Sequence, residues 1–132
     1  GVSGNIIRYS NGNAASSMIG ISCDASAIVR SFSTSFCQGT SAYTVPKLMT
    51  TTRKTDPLGL KIYANGVLEN TVSAGAVSST PYNLNIFVGA FRNSVPYGTA
   101  GGDIGEIICF PRVLKTEEQT TIEQYLIKKW AL

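Results

Sequence analysis

The chain has 132 residues, of which 43% are hydrophobic and 14% charged, enough for one domain with a core and outside the composition of a disordered chain. Its net charge of +3 comes from dispersed Lys and Arg. The densest clusters, Arg53-Lys54 and Lys128-Lys129, form no basic stripe with interleaved aromatics, so nucleic-acid binding is not expected. No apolar run is long enough to span a membrane, and no charged n-region with an apolar h-region opens the chain, so no signal peptide is visible. The chain starts at Gly1 rather than Met, which fits a processed chain or a piece of a longer one.

Before residue 112, turn residues punctuate short strand-like runs. The expected strands are Asn5–Tyr9, Met18–Cys23, Ala27–Phe32, Lys47–Arg53, Leu58–Ala64, Val67–Val72, Asn83–Phe91 and Ile104–Phe110. Regular short strands separated by Gly, Ser, Thr and Asn argue for an all-β sandwich or jelly roll. Leu60, Ile62 and Ala64 alternate with Lys61 and Tyr63, the period-two pattern of a half-buried strand. Asn65-Gly66 then supplies the two positive-φ residues of a type I′ turn, and the return strand starts at Val67. Further on, Leu84, Ile86, Val88 and Ala90 share one face, with Asn83 and Asn85 on the other.

Three cysteines, Cys23, Cys37 and Cys109, cannot all pair within one chain. Cys109, inside Ile107-Ile-Cys-Phe110, is expected to be a small core residue. Cys23 and Cys37 could bridge, but no spacing demands it, and three free thiols made in a reducing compartment are expected. The C-terminal helix is marked by Thr116 as N-cap, Gln119 at the capping-box position, and Glu117 and Glu118 in the first turn. Ile122, Tyr125, Leu126 and Trp130 form its apolar stripe, expected to be buried against the sheet. Lys128 and Lys129 complement the negative end of its dipole.

Three segments carry a family resemblance. Leu60-Lys-Ile-Tyr-Ala-Asn-Gly-Val-Leu68 resembles the central hairpin of concanavalin A-like (laminin G-like) jelly rolls. Asn85-Ile-Phe-Val-Gly-Ala90 is similar to the strand that follows it. Gly101-Gly-Asp-Ile-Gly-Glu-Ile-Ile108 resembles the strand that leads through Pro111-Arg-Val-Leu114 into the terminal helix. The ending Tyr125-Leu-Ile-Lys-Lys-Trp130 looks most like such modules of bacteriophage virion proteins and bacterial surface proteins. The resemblance covers residues 58–132 and implies an antiparallel β-sandwich with one C-terminal α-helix packed on it. Residues 1–132 are then a single laminin G-like domain that lacks N-terminal strands usual in such modules. An edge left exposed would need covering by a partner chain.

The chemistry of the side chains points to recognition. There is no histidine, which removes Ser-His and Cys-His pairs and His-containing metal sites. The Glu-x-Asp-x-x-Glu pattern of some hydrolases with this fold is missing, and Asp103 and Glu106, three residues apart, would point to opposite faces of a strand. Glu106, flanked by isoleucines, is the acid expected to be buried, with neighbouring backbone or Arg112 as partner. The run Gly98–Gly105 lacks P-loop spacing and reads as a loop. Calcium occurs in some laminin G-like domains, but Asp24, Asp56 and Asp103 are widely spread. No cofactor or metal is therefore expected, with calcium the one remaining candidate.

Loop aromatics beside polar groups can stack on sugars and hydrogen-bond their hydroxyls. Tyr43, Tyr82, Phe91, Arg92, Asn93 and Tyr97 are the candidate ligand-binding residues, with Phe91–Tyr97 the leading loop. The expected function is a non-enzymatic attachment module binding a glycan or surface within a virion or cell-surface assembly. Other chains of that assembly or further copies of itself are the expected partners. Two other readings remain: a structural or decoration domain of a phage particle, and, more remotely, a glycoside hydrolase.

Overall fold

The computed structural model describes residues 4–10, 19–23, 28–32, 36–42, 45–54, 59–72, 85–88 and 103–132. Within these residues eight strands precede one helix: β1 (Gly4–Ser10), β2 (Ile19–Cys23), β3 (Ile28–Phe32), β4 (Phe36–Ala42), β5 (Met49–Arg53), β6 (Leu60–Ala64), β7 (Val67–Val72), β8 (Asn85–Val88) and α1 (Thr116–Trp130). They form a five-stranded sheet in the order β4-β3-β2-β1-β8 and a three-stranded sheet in the order β5-β6-β7. Every pairing is antiparallel. The first four strands lie side by side in chain order, while β8 returns to pair with β1, Ile7 opposite Val88 and Ser10 opposite Asn85.

The three-stranded sheet grows from its turn. Asn65 and Gly66 adopt φ of 46° and 80°, the left-handed pair that a type I′ turn needs, and Ala64 faces Val67 across it. Asn65 also fixes the neighbouring strand: the Leu48 N–H donates to its Oδ1 (2.8 Å), and its own N–H donates to the Leu48 carbonyl (2.9 Å). That exchange occupies the Leu48 backbone, and β5 starts at Met49 rather than at the expected Lys47.

Alternation along β6 works as expected at its centre. Leu60 and Ile62 are fully buried, whereas Lys61 and Tyr63 are half-buried on the other face. Removing each of these aliphatic side chains from water contributes about 1.5–3 kcal/mol. Cys37 of β4 is equally buried and hydrogen-bonds the backbone at Ile62. Beside it Gly39 is buried, and β4 lies against both β6 and β7. Cys37 is a free thiol, so it forms no bridge with Cys23.

In β7 the alternation is interrupted. Tyr63 faces Leu68 and Ile62 faces Asn70, so Glu69 is an extra residue. Such a bulge re-aims the side chains around it. Glu69 Oε2 accepts the Thr40 N–H (3.1 Å), and Asn70 Nδ2 donates to the Gln38 carbonyl (2.8 Å), tying β7 to β4.

Two expectations about strands fail. β4, Phe36-Cys-Gln-Gly-Thr-Ser-Ala42, mixes turn formers with few large apolar residues and has no alternation to reveal it. Ile104–Phe110, expected as a strand, has irregular backbone, and Ile104, Ile107, Ile108 and Phe110 are exposed. Strand propensity describes fitness for a pleated, half-buried surface, and this run has no ladder partner among the described residues. Cys109, within it, is exposed rather than core. The expected ends at Met18, Ala27, Leu58 and Asn83-Leu84, and 89–91, lie outside the described residues.

The helix starts one residue earlier than its sequence suggests. Lys115 is the N-cap, with φ −65° and ψ 154°, and Thr116 is already helical. Glu118 accepts the Lys115 N–H (2.8 Å), half of a capping box; an ammonium group has no acceptor with which to complete it. At the other end Ala131 turns left-handed (φ 53°, ψ 47°), and Leu132 N–H reaches the Ile127 carbonyl (3.1 Å), a Schellman-type stop.

The buried helical positions are Glu123 and Leu126. Tyr125 and Trp130, expected in the core, are 59% and 45% exposed. Glu123 lies beside the hairpin tip: a Cβ on Gly66 would be 3.4 Å from its Oε2. Gln119 Nε2 donates to the other carboxylate oxygen (3.0 Å).

Replacing Ile62 by Ala should lower unfolding stability by about 2–4 kcal/mol. Lys61→Ala on the opposite face should change it by no more than about 0.5 kcal/mol. Urea titrations followed by circular dichroism compare the two, and equal losses would contradict the assigned faces.

Candidate functional site

The outer face of β5-β6-β7 carries a cleft of about 360 Å³. Its floor follows from strand register: Lys61 and Tyr63 point away from the buried Leu60 and Ile62, and Thr52 stands opposite Lys61. Lys54 and Gly59 close one end, where the Lys54 N–H donates to the Gly59 carbonyl (2.8 Å). The facing wall is Val113, Leu114, Thr116 and Gln119, from the approach to α1 and its first turns.

The cleft is polar. Lys54 and Lys61 line it, and no carboxylate does among the described residues. Thr116 belongs to the first turn of α1, which also carries Glu117 and Glu118, and Glu118 accepts the Lys115 N–H there. Tyr63 supplies an aromatic surface, and Thr52, Thr116 and Gln119 add groups that donate and accept hydrogen bonds.

Alternation separates the Arg53-Lys54 cluster. Arg53 stands opposite Leu60 on the inner side, where its Nε and Nη2 are buried and have no hydrogen-bond partner among the described residues. Burial pushes its pKa below the usual value. Burial likewise raises that of the Cys37 thiol, partly offset by the hydrogen bond from the Ile62 backbone.

Two exposed clasps hold the wall of the cleft. Arg112 donates Nη1–H and Nη2–H to the two oxygens of Glu118 (2.7 and 2.8 Å), a bidentate pair. Glu106 Oε2 accepts from Trp130 Nε1 and Lys129 Nζ, both at 3.0 Å. Glu106 is thus neither the expected buried acid nor the partner of Arg112. Its carboxyl is held below the usual range, first by Trp130 and then by Lys129, and Lys129 is raised chiefly by Glu106. The Trp130 ring lies over Gly105, where a Cβ would come within 3.2 Å of it.

The residues expected to bind ligand, Tyr43, Tyr82, Phe91, Arg92, Asn93 and Tyr97, lie outside the described residues. The cleft is lined by others. Lys61 and Tyr63 are legible as the outward members of an alternating strand. Their meeting with Val113, Leu114, Thr116 and Gln119 depends on a helix more than fifty positions away, which no local pattern reveals. Among the described residues no group of three or more His, Cys, Asp or Glu could hold a metal, and no helix is long and apolar enough to cross a membrane.

No family model, curated protein or solved structure matches the chain.

The Arg112–Glu118 clasp is sensitive to acid. Arg112 first, and then the Lys115 N–H, bring the Glu118 carboxyl down from the usual 4.5 to about 2. Its folded value lies below its unfolded one, so its stabilising contribution is complete above about pH 4.5 and is lost as pH falls through about 2. Carboxyl-carbon NMR should place the Glu118 midpoint near 2 and find it moved up towards 4.5 in Arg112→Ala. A parent midpoint already near 4.5 would contradict the clasp.

Proposed function

We propose that this chain is a non-enzymatic recognition module that holds an acidic carbohydrate in the cleft over Tyr63. The observation that carries the proposal is the composition of that cleft: one tyrosine ring, the Lys61 ammonium and several hydroxyl and amide groups, with no carboxylate among the described residues. A tyrosine face stacks against the C–H face of a sugar while neighbouring polar groups bind its hydroxyls. Lys61 favours a sugar bearing carboxylate or sulfate. The volume of about 360 Å³ is near the lower end of the range for small-ligand sites.

The finer fold belongs to the same proposal: a concanavalin A-like jelly-roll sandwich working within a virion or cell-surface assembly. Its support is the resemblance of residues 58–132, the antiparallel five- and three-stranded sheets, and the contact of β4 with β6 and β7. Binding is favoured over turnover because glycoside hydrolysis uses two carboxyl groups facing one sugar, and none lines the cleft among the described residues. A structural role through protein–protein contacts is the second reading, favoured by the exposed apolar run 104–110.

A glycan array followed by calorimetry tests the binding proposal. Uronic-acid or sulfated oligosaccharides should bind, neutral ones more weakly, with affinity falling as salt rises. Tyr63→Ala should weaken binding about tenfold, and Lys61→Gln should reduce its salt dependence. Silence across the array, or binding unchanged in both variants, would overturn it.

A further inference from the structure

We propose that the cleft over Tyr63 takes an acidic sugar that also bears an acetamido group, with Gln119 reading the acetamido N–H and the buried Glu123 fixing the way Gln119 faces; this rests on the reading of the cleft as an acidic-carbohydrate site and narrows its ligand class.

Glu123 is the starting point. Among the described residues it is the one buried charged side chain, 6% exposed, and it takes no part in either clasp. Burying a carboxylate without partners is costly. Gln119, one helical turn away, supplies a partner by donating Nε2–H to Glu123 Oε1 (3.0 Å). A carboxylate accepts hydrogen bonds and donates none, so it selects the nitrogen end of the amide. The reverse orientation would set two oxygens against one another. Gln119 lines the cleft and Glu123 does not. With its nitrogen committed to Glu123, Gln119 leaves its carbonyl oxygen as a fixed acceptor for a ligand.

The rest of the wall shows which donor it suits. Val113 and Leu114 line the cleft beside Thr116 and Gln119, so one short stretch offers apolar surface, a hydroxyl and an oriented acceptor. An acetamido group has the matching parts: a methyl for the apolar pair, a carbonyl for the Thr116 hydroxyl and an N–H for Gln119. A plain hydroxyl turns to water where no acceptor is offered. An amide N–H pressed against the wall has no such alternative and stays unpaired, which is costly. A few placed polar groups on an apolar lining are how small-ligand sites fix orientation.

Lys61 belongs to the floor rather than to this wall. The acidic group and the acetamido group are therefore met from different sides of the cleft. N-acetylneuraminic acid carries the two groups at opposite positions of one ring, with the ring's C–H surface between them for Tyr63.

Isothermal titration calorimetry of the whole chain compares the methyl α-glycoside of N-acetylneuraminic acid with its analogue that has a hydroxyl in place of the acetamido group. The first should bind at least about tenfold more tightly. Gln119→Leu should bring that ratio close to one, and Leu114→Ser should lower it about threefold. Glu123→Gln, whose amide lets Gln119 turn either way, should give an intermediate ratio. A general loss of stability or of binding weakens both ligands alike, so the ratio separates reading of the acetamido group from a structural role. Equal affinities in the parent, or a ratio that Gln119→Leu or Glu123→Gln leaves unchanged, would overturn the inference while the acidic-sugar reading stands. Silence of both glycosides where uronic-acid or sulfated oligosaccharides bind would also overturn it alone. If no acidic sugar binds, both fail together.

Discussion

The constraint on which the described structure depends is the period of two along β6, held in phase by the Asn65-Gly66 turn. A strand presents alternate residues to opposite faces. Once the turn makes Ala64 face Val67, Leu60 and Ile62 must look one way and Lys61 and Tyr63 the other. The first pair lies on the side of β4, where Cys37 hydrogen-bonds the Ile62 backbone and is itself fully buried. The second pair becomes the floor of the cleft. A slip of one residue would exchange dry and wet faces along the whole strand, so the same alternation serves core and candidate site. Asn65 reinforces it by binding the Leu48 backbone in both directions, which joins the register of β5 to that of the hairpin.

Around the hairpin, polar contacts do the positioning. The bulge at Glu69 brings two successive polar side chains to the backbone of β4. On the helix, Glu123 is buried against the close approach of Gly66, and the approach to α1 is held by Arg112–Glu118 and by Glu106 with Trp130 and Lys129. Exposed ion pairs are worth little in stability one at a time. Their consequence is geometric: they set where Val113, Leu114, Thr116 and Gln119 stand over the sheet.

What could be read from the sequence was what is local. The Asn-Gly turn needs positive φ at two adjacent residues, and only a few residue types supply it. The helix announced itself through acidic and basic ends, although its first residue was displaced because Glu118, held by Arg112, caps Lys115. β4 escaped notice because its burial comes from small residues packed against another sheet. Ile104–Phe110 failed in the opposite direction, having the composition of a strand without a described neighbour to make it one. Tyr125 and Trp130 repeat at helical spacing, yet the helix turns Glu123 and Leu126 inward instead. The cleft was half legible, in the outward faces of Lys61 and Tyr63, while its other wall is a long-range meeting.

The most direct test of this account is a through-space proton map of the folded chain by NMR. Leu60 and Ile62 methyl protons should show contacts to the Cys37 side chain, and Gly66 α-protons should show contacts to Glu123, placing β4 and the helix on opposite faces of the hairpin. Contacts from the Leu60 or Ile62 methyls to Thr116 or Gln119 would contradict it, as would the absence of any Gly66–Glu123 contact.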